Sequence, residues 1–213
     1  METFTSLEGL VIIDNLIITI QNNKQYLSDI DGLIGDGDHG INMNKGFTLC
    51  REELDKVPGD LIHGLNVLSR VLLMKIGGSM GPLYGKFFSA MALSLKGKEI
   101  IGADDIGSSL KASMEAIQSI SSAKAGDKTL MDTLIPSVES YENARAEGKS
   151  FFESLEDLKA AAANGRDSTI NMIARLGRSS RLGERSRGVP DAGAVSCCLI
   201  LVSMANTIQN LIK

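Results

Sequence analysis

The residues best suited to chemistry lie in one stretch, DGLIGDGDHGINMNKGF, Asp31 to Phe47. Three carboxylates, Asp31, Asp36 and Asp38, fall between glycines and beside His39, one of two histidines in the chain. Carboxylates this close repel one another, so they either face water or share a cation. Oxygen donors on a glycine-bearing loop suit a hard divalent ion such as Mg²⁺, which commonly bridges a few carboxylates to phosphate. Glycine lets the backbone take the tight turns such a site needs. A solvated acidic turn is the competing reading, and the loop taken alone leaves both open. Two familiar motifs are excluded. Gly35, Gly37 and Gly40 formally satisfy G-x-G-x-x-G, but no strand precedes them, and Asp36 and Asp38 would stand where a pyrophosphate must approach. Counted as an EF-hand from Asp36, the twelfth position is Phe47, where a bidentate glutamate is required.

Three further segments carry complementary groups. In IGGSMGPLYGKFF, Gly77, Gly78 and Gly81 allow a ligand close to the backbone. The N–H groups of the next helix start and the Ser79 hydroxyl favour an anion there. No G-x-x-x-x-G-K-[ST] is present, so this is not a Walker A loop, and tight helix packing at glycine is the alternative. AGDKTLMDTLIPS places Asp127, Lys128, Thr129 and Asp132 at a helix start, where Asp127 reads as an N-cap. GRSSRLGERSRGVPDAGA holds Arg178, Arg181, Arg185 and Arg187. They suit phosphate or a charged protein partner, with a solvated loop the default for any one of them. Asp191 is placed to cap the last helix or to accept from a sugar hydroxyl. Aspartates for a cation, donors for phosphate and arginines for further negative charge point together to a Mg-nucleotide site. Phosphoryl transfer rests mainly on positioning and charge neutralisation, which agrees with the scarcity of histidine.

The elements that must position these groups are helices. Apolar residues recur at i, i+3, i+4 over 7–30, 41–55, 59–76, 82–97, 103–122, 129–147, 150–163, 166–176 and 192–212. Asp31 then closes the first helix, and Asp36 and Asp38 alternate along an extended loop. Pro82 belongs in a first helical turn. Ser150 with Glu153 reads as a capping box. Sustained strand alternation is absent. The predicted class is all-α, a bundle of eight or nine helices. Segments 31–40, 77–81, 124–129 and 177–193 are its glycine-rich loops, and in an up-down bundle they are expected to line one rim.

A chain of 213 residues, 43% hydrophobic, suits one domain over 1–213 with no linker or internal repeat. A net charge of −4 argues against a general nucleic-acid binder. Cys50, Cys197 and Cys198 are odd in number and two are adjacent, so they form no disulfide framework. Without a Cys-x-x-Cys pattern they form no structural zinc site either. The N-terminus has acids and no basic n-region, and no apolar run reaches the ~18 residues of a membrane span. A soluble, cytoplasmic protein that binds neither nucleic acid nor membrane is expected.

The four motif segments, in this order, resemble the L (nucleotide-binding) subunit of bacterial dihydroxyacetone kinase, over residues 7–212. The resemblance implies a barrel of about eight antiparallel amphipathic helices with the nucleotide across one end. It implies that Asp31, Asp36 and Asp38 hold two Mg²⁺ ions bridging the phosphates of ADP or ATP. His39, Gly40, Ile41 and Asn42 would line the phosphates and nucleotide, with Ser79 and Met80 in the glycine-rich phosphate loop. Leu130 would lie by the adenine, and Arg178, Asp191, Ala192 and Gly193 would close over the nucleotide. No catalytic residue is implied beyond this metal-nucleotide site. The family pattern carries Ser where this chain has Met80, with Ser79 one position earlier.

The resemblance also implies a phosphoenolpyruvate-dependent phosphotransferase. An M subunit passes phosphate from a phosphohistidine to ADP bound on the L subunit, and the resulting ATP phosphorylates dihydroxyacetone held on a K subunit. The L subunit is then inactive without K. Two alternatives stay open: the L component of an ATP-dependent kinase for dihydroxyacetone or a ketose such as erythrulose, and an ADP-bound binding protein that contacts a transcription regulator. A homodimer is compatible with each.

Overall fold

The structure is a computed structural model that describes residues 2–212. Nine α-helices occur among the described residues: α1 Leu10–Asn22, α2 Lys24–Ile34, α3 His39–Leu54, α4 Leu61–Lys75, α5 Met80–Ser94, α6 Ala103–Gln118, α7 Met131–Ala146, α8 Phe151–Ser168 and α9 Ala192–Leu211. Two three-residue strands, β1 Thr3–Thr5 and β2 Ile100–Gly102, pair antiparallel with Phe4 opposite Ile101. The chain is therefore all-α with one small ribbon. The ribbon is an addition to the expected all-α fold. Three residues are too few to show period-two alternation.

Helix packing runs α1–α3–α4–α5–α6–α7–α8–α9 and returns from α9 to α1. The helix α2 lies outside this circuit and packs on α3 and α9. The stripe Ile12, Ile13, Leu16, Ile17 and Ile20 of α1 is fully buried, at the helical spacing of a core-facing side. Phe88 meets Phe87 and Phe47 edge-on, with centroids 5.1 and 6.2 Å apart. Gly165 sets the closest approach of α8 to α7, since a Cβ there would lie 2.4 Å from the Asp132 carbonyl oxygen.

Local chemistry fixes several helix ends. Asp60 caps α4 by accepting from His63 N at 2.8 Å and also accepts from the Ser6 hydroxyl at 2.9 Å. Ser150 and Glu153 form the capping box of α8. Asp191 caps α9 through Ala194 N at 2.8 Å. Asp127 does not cap α7. Its carboxylate accepts from Lys124 N at 3.0 Å, within its own turn.

Other boundaries differ from expectation. The span 7–30 is two helices, broken at Asn23, whose side-chain amide donates to the Thr19 carbonyl at 2.8 Å. This side-chain bond offers the backbone an alternative to the helical ladder. Asp31 lies inside α2 rather than at the end of a first helix. No α-helix covers 166–176: α8 runs to Ser168, and a 3₁₀ turn follows over Thr169–Asn171. There the Thr169 carbonyl, which would extend the helix, accepts from Lys128 Nζ.

The helix α9 is 20 residues long and apolar enough by length and composition to cross a membrane, contrary to the sequence reading. Within the fold, 67% of its most apolar window is buried, against α1, α7 and α8. It is a core helix here.

Candidate functional site

One cavity of about 320 Å³ opens where the glycine-rich loops meet. It is lined by residues from the α2–α3 loop, the α4–α5 loop, the segment before α7 and the segment before α9. The four segments chosen for their chemistry therefore share one space.

The α2–α3 loop supplies the acids. One carboxylate oxygen from each of Asp31, Asp36 and Asp38 can be chosen so that all lie within 4.8 Å of one another. Gly35 makes this possible, because a Cβ there would lie 2.4 Å from Asp31 Oδ1. Gly37 turns the loop at φ 76°, a conformation that favours glycine. Asp31 also accepts from His39 N at 3.3 Å, and Asp36 ion-pairs with Arg178. Three carboxylates against one arginine leave a surplus of negative charge on hard oxygen donors. That donor set fits Mg²⁺.

The α4–α5 loop faces the acids. A Cβ at Gly77 or Gly78 would meet nothing within 4 Å, so both glycines border open space. Ser79 precedes α5, is exposed, and spends no side-chain bond on capping. The first N–H groups of α5 and this hydroxyl form a donor set for an anion. Met80 borders the cavity from the core side. It is 8% exposed and belongs to the hydrophobic core, so the hydroxyl at this loop is that of Ser79.

His39 begins α3 and reaches inward. Its Nε2 lies 2.9 Å from Ser196 Oγ of α9, and the Ser196 and Tyr84 hydroxyls share a 2.7 Å hydrogen bond. Burial pushes the His39 imidazole down to about 4, against the opposing pull of Asp31, so the ring is neutral at pH 7. Burial pushes Asp191 up to about 6, opposed by the Ala194 N–H and by Lys128.

Of the residues singled out from the sequence, Asp31, Asp36, Asp38, His39, Asn42, Ser79, Met80, Leu130, Arg178, Asp191, Ala192 and Gly193 line the cavity. Gly40 and Ile41 do not. Gly40 is a packing glycine, since a Cβ there would lie 2.0 Å from the Lys24 carbonyl oxygen. Ile41 is 53% exposed on the outer side of α3. Lys128, noted at the helix start of AGDKTLMDTLIPS, also lines the cavity. Two polar neighbours, Tyr84 and Ser196, were not among the residues singled out, because each sits within an apolar helix. The hint for Ser196 was a lone hydroxyl inside GAVSCCLI.

The chain is 35% identical over 193 residues to the "PEP-dependent dihydroxyacetone kinase 2, ADP-binding subunit DhaL" of Listeria innocua, covering 89% of each chain. It is 35% identical over 183 residues to the "PEP-dependent dihydroxyacetone kinase, ADP-binding subunit DhaL" of Escherichia coli, covering 85% of this chain and 87% of that one. The crystal structure of the dihydroxyacetone kinase of C. freundii shares the fold, with a TM-score of 0.71 at 21% identity. That alignment covers 93% of this chain but 34% of the kinase, so this chain spans about a third of that protein. The same kinase in complex with AMP-PNP and Mg²⁺ gives a TM-score of 0.66 at 22% identity. Residues 33–206 match the DAK2 domain, and the chain belongs to that family.

Proposed function

We propose that this chain is the nucleotide-carrying L subunit of a phosphoenolpyruvate-dependent dihydroxyacetone kinase, holding ADP or ATP with Mg²⁺ in the cavity. The observation that carries this reading is the convergence of the acid triad, the open glycine loop before α5 and Arg178 on one space. Two of its relatives, named as ADP-binding subunits of that kinase, support the assignment.

Asp31, Asp36 and Asp38 would hold the metal, two ions in this reading. When bound, Mg²⁺ neutralises charge on the phosphate oxygens. The chain's own groups do the rest. The N–H groups at the start of α5 and the Ser79 hydroxyl bind phosphate oxygens. Neutral His39, held by Ser196, orients at the acid loop without adding positive charge. Arg178 sits over the acids and screens incoming phosphate. Leu130 and Ala192 give the base an apolar wall. Positioning and electrostatics of this kind carry most of phosphoryl transfer.

The ketone is supplied by a partner K subunit. Neither histidine here is disposed to hold one covalently. His39 is committed to Ser196, and His63 Nε2 lies 3.1 Å from the Val57 carbonyl oxygen, away from the cavity. The phosphoryl donor is an M-type phosphocarrier. Reconstitution tests this. The purified chain with a K subunit should phosphorylate dihydroxyacetone when phosphoenolpyruvate and the phosphocarrier chain are present. Turnover of dihydroxyacetone or erythrulose with free ATP and K alone would contradict it.

A further inference from the structure

Lys128 is the one non-glycine residue among those described with positive φ, at 61°. A lysine gains nothing from the left-handed region, where its Cβ crowds the following carbonyl. Such strain persists when the surroundings require that side chain. Here the side chain is 1% exposed, and its ammonium donates to the Thr169 and Val189 carbonyls, each at 2.6 Å. These two carbonyls stand at the two ends of the arginine segment 172–188. Gly188 N donates to the Ile170 carbonyl at 2.8 Å across the same base. Arg175 N donates to the Asp127 carbonyl at 3.1 Å, Ala174 N donates to Ser186 Oγ at 2.9 Å, and the Arg187 guanidinium donates to the Asn171 carbonyl, while the Arg175 and Arg178 side chains are 67% and 62% exposed. The segment is thus a surface loop whose ends are joined by backbone hydrogen bonds and by one buried cation that bonds both of them at once. It also delivers Arg178 to Asp36, and Asp191 N at its far end donates to Thr169 Oγ1 at 3.0 Å.

We infer that Lys128 is the clasp of the arginine segment: by joining Thr169 to Val189 it holds that segment closed over the cavity, and so sets how long a nucleotide stays bound. Lys128 is a positioning residue in this role. The inference rests on the nucleotide reading above for its second half and on geometry alone for its first.

The test uses Lys128→Gly and Lys128→Arg in the full chain. Glycine relieves the backbone strain, so a purely conformational role predicts unchanged or improved behaviour. The clasp predicts the reverse. Trypsin cleavage at Arg175 to Arg187, followed by mass spectrometry on nucleotide-free protein, should accelerate about tenfold in Lys128→Gly, since cleavage tracks local opening. Release of the fluorescent probe mant-ADP in Mg²⁺ should also accelerate about tenfold, while helix content by circular dichroism is kept. Lys128→Arg, which keeps a multidentate cation, should recover part of both. Wild-type cleavage and release in Lys128→Gly would overturn the clasp, as would cleavage rising equally at sites outside the segment. Failure of wild-type protein to bind mant-ADP would instead overturn the nucleotide reading and the lifetime role with it.

Discussion

Arg178 ion-pairs with Asp36 across the mouth of the cavity, joining the segment before α9 to the loop after α2. The two residues are 142 positions apart in sequence and belong to the two loops of strongest opposite charge. The pair stands where incoming phosphate would meet both the acids and the arginine. Both side chains are substantially exposed, so their attraction is screened and contributes little to folding.

Arg178→Ala should therefore separate binding from stability. Its melting temperature should stay within about 2 °C of wild type, because an exposed pair is worth little. Nucleotide release should quicken about tenfold, as one charge-assisted contact to phosphate is lost. Stopped-flow release and differential scanning calorimetry check the two halves. A fall in melting temperature with unchanged release would reverse the assignment.

The acid triad should act through its metal. Asp38 precedes α3 but makes no side-chain cap, so Asp38→Asn sacrifices no helix cap. In EDTA this variant should melt no lower than wild type, since removing one of three like charges relieves repulsion. In Mg²⁺ with ADP, wild type should gain stability by mass action and the variant should not. Calorimetric titration of Mg-ADP should show affinity reduced by about a hundredfold or more in the variant. Equal affinity would remove the triad from the metal site.

Gly77→Ala probes the open space before α5. Nothing lies within 4 Å of the new methyl group, and Gly77 is outside the left-handed region. Folding stability should change by less than about 0.5 kcal/mol. Nucleotide affinity should fall about tenfold, because the methyl occupies room a phosphate needs. Unchanged affinity would place the phosphates elsewhere.

The pH dependence of the nucleotide-free protein follows from two opposed groups. His39 falls from 6.5 unfolded to about 4 folded, so its contribution is present above 6.5 and is lost as pH falls through that window. Asp191 rises from 3.8 unfolded to about 6 folded, so stability from its protonated form is lost as pH rises through that window. Between pH 4 and 6 the two slopes oppose each other. Asp191→Asn keeps a good N-cap and removes the second slope. Its urea midpoint in EDTA should rise from pH 4.5 to 6 more steeply than that of wild type. Parallel curves would refute the burial of charge at Asp191.

Much of the architecture was legible because it is written locally. Apolar spacing gave the helices, and Ser150–Glu153 and Asp191 announced their caps within four residues. The clustering of glycine with acids and arginine marked the segments that meet at the cavity. What was not legible depends on distant partners. Lys128 is a clasp only because Thr169 and Val189 bring carbonyls to it, and Ser196 matters only because His39 reaches α9. Met80, read with the phosphate loop, does border the cavity, but its burial among core residues depends on distant helices that the loop sequence does not name. The break at Asn23 turns on one side-chain bond to Thr19 that the apolar pattern on both sides conceals.

The central claim is that the cavity is built around a nucleotide. Its most direct test is the nucleotide content of freshly purified protein, kept in Mg²⁺, denatured, and analysed by anion-exchange chromatography. The account predicts ADP at close to one equivalent per chain, lost when Asp38→Asn is purified in the same way. Protein that carries no adenine nucleotide, and takes up none from Mg-ADP, would contradict it.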